Sequence, residues 1–208
     1  LRTPVTVLRG HLEAMMDGVY PLDVPHVATA YDQTLHLARL VDDLRLLTQA
    51  EGRRLALHLQ PVAPATLVDA AAARFAPLAE DASIALAQSA APNLPTVTVD
   101  SDRMQQVLDN LLTNALRHTA PGGEIAVTVQ PGPLGVQFIV ANSGHIPAEQ
   151  LAHIFDRFWR ADEARVRDAG GSGLGLAITR QLIMLQHGTI RAEAGEGMTR
   201  FVIDLPAA

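Results

Sequence analysis

Apolar residues recur at helical spacing through the first quarter of the chain. Residues 1–17 and residues from about 26 to 57 carry an apolar side chain every three or four positions, and a stretch with Gly18, Pro21 and Pro25 separates them. The pattern predicts two antiparallel helices joined as a hairpin. Because so small a unit cannot cover both apolar faces alone, we expect a second copy to complete a dimeric four-helix bundle.

Beyond residue 57 the period alternates between helical and strand-like. It predicts helices over 64–81, 102–119, 148–155 and 174–187, and strands over 84–88, 96–99, 124–130, 136–141, 189–194 and 200–205. Interleaved helices and antiparallel strands are typical of a two-layer sandwich. The predicted fold is therefore α+β, with an antiparallel helical hairpin at 1–57 followed by a two-layer α/β sandwich at 58–208.

The predicted helix over 102–119 has one wholly apolar face and one polar face. Its polar side chains fall within an arc of roughly 100° and are Asn110, Asn114, Arg117 and His118. Asn is a modest helix former, so two of them one turn apart call for an explanation. Amide oxygens are hard, neutral ligands that suit Mg²⁺, which completes its shell with water and phosphate. The helix is either the edge of a metal and nucleotide site or an ordinary solvated face.

A glycine cluster at 170–175 ends where a predicted helix begins. Main-chain N–H groups and the positive end of the helix dipole meet there, which favours an anion. The preceding loop carries four cations that could shield a triphosphate, Arg157, Arg160, Arg165 and Arg167. The alternative is a flexible, solvated charged loop.

A third polar feature lies at 142–147, where a predicted strand ends in a glycine-containing turn. Asn142 stands at the end of that strand and could accept a hydrogen bond from an adenine amino group. The same residues are equally compatible with an ordinary turn.

Composition excludes several classes of protein. The 208 residues are 48% hydrophobic and 18% charged, so the chain can bury a core, and its net charge of −6 gives no general reason to bind nucleic acid or an anionic membrane. There is no Cys, hence no disulfide, and no apolar run of the about 20 residues that a membrane-spanning helix needs. All 16 basic residues are Arg. The absence of Lys excludes P-loop nucleotidases, the Ser/Thr/Tyr protein-kinase fold and Schiff-base chemistry.

Together these features resemble the sensor histidine kinases of bacterial two-component systems, whose ATP-binding domain belongs to the gyrase, chaperone and MutL superfamily. The resemblance covers nearly the whole chain. Its motifs occur in family order: the tail of the phospho-acceptor box at 1–4, the asparagine box at 102–119, the first glycine box at 142–147, the phenylalanine box at 154–160, the second glycine box at 171–176 and the last at 195–201.

The resemblance implies a binding site for ATP and Mg²⁺. By it, Asn114 coordinates Mg²⁺ with Asn110 beside it, and Asn142 contacts adenine. Arg117 contacts phosphate, His118 lies near the nucleotide, and Arg160 approaches the γ-phosphate. Thr3 matches the position linked to the reverse phosphatase reaction. The same boxes supply the remaining nucleotide-binding positions, namely Gly144, Ile146, Phe155, Gly171, Ser172, Gly173, Leu174, Gly175, Leu176 and Thr199.

Three departures from the family pattern change these expectations. The acceptor His lies two residues before Leu1 in the family, so we expect this chain to bind ATP without receiving its phosphate. Asn142 replaces the usual Asp and the turn after it is one residue short. A neutral amide accepts less strongly than a carboxylate, so we expect reduced nucleotide affinity. Asn110 stands where gyrase-like ATPases use Glu, and it cannot act as a base, which favours transfer to a protein histidine over steady hydrolysis.

The expected partners are a second copy of the chain and a response regulator receiver domain, which would take the phosphoryl group on an Asp. No nucleic-acid partner is expected, and a membrane contact is expected only through an upstream region, so the predicted location is cytoplasmic. A non-catalytic ATP-binding scaffold of the same fold is the main alternative. A serine kinase of the anti-sigma-factor type is less favoured, because it lacks the helical hairpin.

Overall fold

The computed structural model describes residues 2–52, 54–159 and 172–208, and the side chains of all of these except residues 2–4 and 148. The helices are α1 Arg2–Met16, α2 Val24–Glu51, α3 Pro64–Asp81, α4 Ser101–His118, α5 Ala148–Leu151 and α6 Gly175–Leu185. The strands are β1 Gln60–Val62, β2 Ala85–Ala90, β3 Val97–Val99, β4 Glu124–Gly132, β5 Gly135–Ser143, β6 Thr189–Gly195 and β7 Met198–Pro206.

The first two helices form the predicted hairpin. Asp23 caps α2 by accepting a hydrogen bond of 3.0 Å from the main-chain N–H of His26. The predicted end of this helix at residue 57 is wrong. Gly52 closes the helix by donating its N–H to the carbonyl of Thr48 at 3.0 Å, and residues 54–59 have no regular structure although their apolar spacing continues. No described helix is long and apolar enough to cross a membrane.

Five strands form one sheet in the order β2-β4-β5-β7-β6. The expectation of antiparallel strands throughout is wrong at one edge, because β2 and β4 run parallel, with Ala85 opposite Glu124 and Ala90 opposite Val129. The reason is the connection between these strands. It runs through β3 and α4 and returns the chain to the end from which β2 began, as a helical crossover does. The other three pairs are antiparallel.

Helices α3, α4 and α6 cover one face of this sheet, which confirms the two-layer α/β architecture. On β4 and β5 alternate residues are buried, as a half-covered sheet requires. The side chains of α4 that enter the core are Met104, Val107, Leu108, Leu111, Leu112 and Ala115. The strand β1, which pairs with β3 in a separate two-stranded sheet, was not predicted. At three residues with a central Pro61, β1 is too short to show a period.

Other element boundaries differ by a few residues from those predicted. The turn between β4 and β5 falls at residues 133 and 134, because the strands continue until Gly132 pairs with Gly135. The predicted helix over 148–155 ends at Leu151, and the one over 174–187 begins at Gly175 and ends at Leu185. Within the described residues, these shifts leave the predicted motifs on the expected elements or beside them.

The start of α4 is fixed by a buried carboxylate. Asp100 caps the helix by accepting from the N–H of Arg103 at 3.1 Å, and it also accepts from the N–H of His58 at 2.9 Å. Burial favours the neutral acid, but these N–H donors outweigh it and lower the pKa of Asp100. The N–H of Asp100 donates to the side chain of Gln186 at 2.8 Å, so the cap also joins α4 to the end of α6.

Candidate functional site

The middle of α4 lies against the beginning of α6. The amide nitrogen of Asn110 donates to the carbonyl of Gly175 and to the hydroxyl oxygen of Thr179, both at 3.4 Å. Gly175 is the first residue of α6, so this contact brings the predicted metal edge to the N-terminus of the helix that follows the second glycine box. Both features were proposed separately from the sequence, and the structure brings them together.

Two amide oxygens are available at this edge. Asn110 donates its amide nitrogen to α6, so its oxygen remains for a ligand. Asn114, one turn further along α4, is half-buried and has no hydrogen-bond partner among the described residues. No group of three or more His, Cys, Asp or Glu in the described residues could hold a metal ion. Neutral amide oxygens suit Mg²⁺, which takes few protein ligands and completes its shell with water and phosphate.

The last turn of α4 carries Arg117 and His118, both exposed as whole residues. Partial burial of the imidazole, and secondarily the positive charge of Arg117, lower the pKa of His118 below its ordinary value. The imidazole is therefore neutral at pH 7. It can serve as a neutral hydrogen-bonding or stacking group beside a ligand, while Arg117 supplies the positive charge at this end of the helix.

Asn142 closes the far end of the site, at the end of β5. The residue is 2% exposed, and its amide nitrogen donates to the hydroxyl oxygen of Thr119 at 3.3 Å and to the carbonyl of Ser143 at 3.1 Å. Thr119 follows α4 directly and in turn donates to the carbonyl of Ala115 at 2.7 Å. The predicted base-contacting residue is thus tied to the same helix as the two asparagines.

Gly144 occupies a position that no side chain could share. Its φ is +148°, and a Cβ there would lie 2.9 Å from the carbonyl oxygen of His118. The N–H of Gly144 donates to the carbonyl of Gly197 at 2.9 Å, and its carbonyl accepts from the Thr199 hydroxyl at 3.0 Å. These contacts join the first glycine box to the end of α4 and to the loop before β7, while Ile146 packs against the core.

The phenylalanine box and the second glycine box meet through main-chain contacts. The N–H of Phe158 donates to the carbonyl of Gly173 at 2.9 Å, and a Cβ on Gly173, whose φ is +67°, would lie 2.8 Å from the main chain of Phe158. Phe155 packs edge-on against Phe201 with ring centroids 6.3 Å apart. The side chain of Leu174 is buried in the core, and that of Leu176 packs against it.

Ser172 contacts the hairpin, a contact that the sequence did not predict. Its hydroxyl donates to Asp43 on α2 at 3.3 Å and accepts from the N–H of Leu174 at 3.1 Å. Burial raises the pKa of Asp43, against the opposing effect of this hydrogen bond. Nearby, Arg157 forms an ion pair with Glu51 at the end of α2. Residues of the C-terminal half of α2 therefore contact Arg157 and Ser172, which lie on either side of the undescribed segment 160–171 in the sequence.

Several predicted residues lie outside the described part of the chain. These are Arg160, Arg165, Arg167, Gly170 and Gly171, together with the side chain of Thr3. Sequence analysis in turn missed the residues that orient the predicted ones, Thr119, Ser143 and Thr179. For Thr119 the only local signal was its position at the end of an amphipathic helix. The contacts that give Thr119 and Thr179 their roles join residues far apart in the chain.

Comparison with known proteins identifies two families. Residues 99–208 match the model of the histidine kinase-, DNA gyrase B- and HSP90-like ATPases. Residues 1–53 match the His kinase A phospho-acceptor domain. The first match covers α4, the sheet around Asn142 and α6, which are the elements that form the site, and membership of this ATPase family implies ATP binding.

Individual relatives agree with these matches. The chain is 36% identical over 208 residues to the signal transduction histidine-protein kinase BaeS of Escherichia coli K12, across 99% of this chain and 44% of BaeS. It is 36% identical over 214 residues to the sensor protein SrrB of Staphylococcus aureus MRSA252, across 99% of this chain and 36% of SrrB. The chain thus spans less than half the length of these curated relatives.

Solved structures show the same architecture. The histidine kinase AdeS of Acinetobacter baumannii superposes with a TM-score of 0.83 and 25% identity, over 99% of this chain and 96% of AdeS. The histidine kinase ThkA, solved in complex with the response regulator protein TrrA, superposes with a TM-score of 0.78 and 26% identity, over 100% of this chain and 58% of that one. On its motifs, its fold and these matches, the chain belongs to the sensor histidine kinases of bacterial two-component systems.

Proposed function

We propose that this chain binds Mg-ATP and directs its γ-phosphoryl group to a histidine two positions before Leu1, from which it passes to an Asp of a response regulator. The observation that carries the proposal is the attachment of α4 at two points. Asn110 bonds to the start of α6, and Thr119 bonds to Asn142. The two attachments are separated by roughly 13 Å along the helix axis, a span of the order of a nucleoside triphosphate.

Each part of the nucleotide has a matching group along this helix. The adenine amino group is proposed to donate to the carbonyl oxygen of Asn142, next to the close approach at Gly144. The phosphates lie towards the N-terminus of α6, and the family resemblance assigns Arg117, in the last turn of α4, and Arg160 to contacts that offset their charge. Asn114 and Asn110 would hold Mg²⁺, which when bound supplies charge neutralisation on the phosphates.

The residues of the site favour phosphoryl transfer over hydrolysis. An amide at Asn110 cannot take a proton from water, and so no general base for hydrolysis stands at that position. A neutral imidazole nitrogen needs no base to become nucleophilic. It forms the N–P bond as the bond between the γ-phosphorus and the bridging oxygen breaks, and ADP leaves with that electron pair. The protein then contributes positioning and positive charge.

We also propose that the chain divides into a dimerisation and phosphotransfer hairpin at 1–57 and an ATP-binding domain at 58–208. Exposed apolar side chains on the hairpin support a homodimer through this unit, among them Val5, Leu12, Val24, Val27 and Tyr31. The ThkA–TrrA complex supports docking of a response regulator. ATP as the substrate places the chain in the cytoplasm, with any membrane contact made by a region upstream of Leu1.

The metal assignment is tested by replacing Asn114 with Ala. Ala is the better helix former, so α4 is retained. We expect Mg²⁺ to strengthen ATP binding in the unaltered chain and to have no effect in Asn114→Ala, as measured by calorimetric titration with Mg²⁺ and with EDTA. Thr113→Ala, an exposed neighbour on the same helix, is the matched control and keeps the Mg²⁺ effect. Unchanged Mg²⁺ dependence in Asn114→Ala removes the assignment.

Phosphotransfer is tested with a chain that includes the residues preceding Leu1. After incubation with labelled Mg-ATP we expect acid-labile phosphate on the extended chain and none on residues 1–208. Because Asn142 replaces the usual Asp, the second candidate function is a non-catalytic ATP-binding scaffold. Tight ATP binding by the extended chain without any label supports that scaffold and contradicts the kinase.

A further inference from the structure

The amide of Asn142 is held in one orientation by two acceptors. Its nitrogen donates to the hydroxyl oxygen of Thr119 at 3.3 Å and to the carbonyl of Ser143 at 3.1 Å. The hydroxyl hydrogen of Thr119 is already engaged, since it donates to the carbonyl of Ala115 at 2.7 Å. Thr119 can therefore only accept from Asn142, as the Ser143 carbonyl does. Both contacts require nitrogen on that side of the amide, so the oxygen Oδ1 lies on the other side.

Oδ1 is the atom of Asn142 that remains for a ligand. It accepts no hydrogen bond from the part of the chain that the structure describes. It also keeps some contact with solvent. The residue as a whole is 2% exposed. A buried side chain whose open atom is an acceptor offers that acceptor to whatever binds beside it.

We infer that Thr119 is a positioning residue that makes the base pocket select a purine with a 6-amino group over one with a 6-oxo group; the inference rests on the proposed binding of ATP beside Asn142. Adenine carries a donor at this position, which pairs with Oδ1. A 6-oxo purine places an acceptor there, facing a second acceptor. It pairs well only if the amide turns over. Oδ1 would then face the Ser143 carbonyl across the 3.1 Å that nitrogen now occupies.

The hydroxyl of Thr119 and the carbonyl of Ser143 oppose this rotation separately. The carbonyl belongs to the main chain and is present in every variant. The hydroxyl can be removed, and without it the amide nitrogen loses one of its two acceptors, so the turned amide becomes easier to reach. Selectivity should therefore fall in part, by the contribution of one neutral hydrogen bond, and not vanish.

The test compares three proteins: the unaltered 208-residue chain, Thr119→Val, which keeps the shape but lacks the hydroxyl, and Thr119→Ser, which keeps the hydroxyl. The ligands are ATP and inosine triphosphate, whose base carries a 6-oxo group in place of the 6-amino group, each titrated calorimetrically with Mg²⁺. We expect the ratio of the two affinities to fall about five- to tenfold in Thr119→Val and to change less than about twofold in Thr119→Ser.

An unchanged ratio in a folded Thr119→Val protein overturns the inference, and so does an equal fall in Thr119→Ser, because packing would then be the cause. If the unaltered chain binds neither nucleotide, the proposed function fails and the inference with it. Because Thr119→Val also loses the contact to Ala115, its folding is checked by circular dichroism. If Thr119→Val does not fold, the test is the rate at which the side-chain amide protons of Asn142 exchange with solvent in the unaltered chain. Slow exchange with solvent supports the fixed amide, and exchange as fast as in an exposed Asn refutes it.

Discussion

Replacing Leu47 with Ala tests whether the end of α2 is an integral part of the fold. Leu47 is 1% exposed and belongs to the same apolar cluster as Ile178 and Leu182 of α6. Truncating so fully buried a Leu costs about 2–5 kcal/mol of unfolding free energy. The nearby pair of Arg157 and Glu51 is half-exposed and contributes less than about 1 kcal/mol. Burial of Leu47 is therefore expected to stabilise the attachment of α2 more than this ion pair does.

The assay is urea unfolding of the 208-residue chain, followed by circular dichroism. We expect Leu47→Ala to lower the midpoint without changing the slope, since the slope reports the surface exposed on unfolding. Leu78→Ala is the matched control, because Leu78 is 52% exposed on α3 and the same truncation leaves no cavity there. If Leu47→Ala costs no more than Leu78→Ala, the contact between α2 and α6 does not stabilise the folded chain and the assignment of Leu47 to the core is refuted.

Three further predictions concern ionisable groups. Burial raises the pKa of Asp43, so the charged carboxylate opposes folding above that pKa. Asp43→Asn should therefore raise the melting temperature at pH 7.5. This gain should shrink at lower pH, where Asp43 becomes protonated in the unaltered chain. Asp100→Ala should lower the free energy of unfolding by about 1–2 kcal/mol, because the helix cap is lost. Because the pKa of Asp100 is lowered, the stability difference between the two proteins in urea unfolding should shrink as the pH falls through that pKa. The pKa of His118 is also lowered, so on acidification the unfolded chain binds the proton before the folded chain does. Below about pH 6.5 the unaltered chain should therefore lose stability relative to His118→Gln. Parallel plots of stability against pH for the two proteins would show that the pKa of His118 is not perturbed.

The helix α4 shows what could be predicted from the sequence. Its apolar face runs without a break from Met104 to Leu116, so both the helix and the side of it that carries Asn110 and Asn114 followed from periodicity alone. The true end of α2 did not follow. Apolar residues continue at helical spacing past Gly52, and only the structure shows that this glycine ends the helix.

Contacts between distant residues could not be predicted, because no local pattern encodes them. Asp43 and Ser172 are separated by 129 positions and join through one hydrogen bond. The parallel pairing of β2 with β4 depends on how the whole segment between them crosses the sheet, which neither strand records in its own sequence. Residues that touch a ligand have characteristic types, whereas residues that orient them, such as Thr119, have ordinary types and are identified by their partners.

Asn110 and Asn142 are oriented by the same chemistry at the two ends of the site. Each donates its amide nitrogen to one main-chain carbonyl and one threonine hydroxyl, Gly175 and Thr179 in the first case and Ser143 and Thr119 in the second. Because both nitrogen donors are engaged with the protein, each side chain offers only its oxygen to a ligand. A neutral oxygen held in this way loses no freedom on binding, which offsets part of its weakness relative to a carboxylate. Under the proposed function, the oxygens of these two asparagines would serve Mg²⁺ at one end of the site and the adenine amino group at the other.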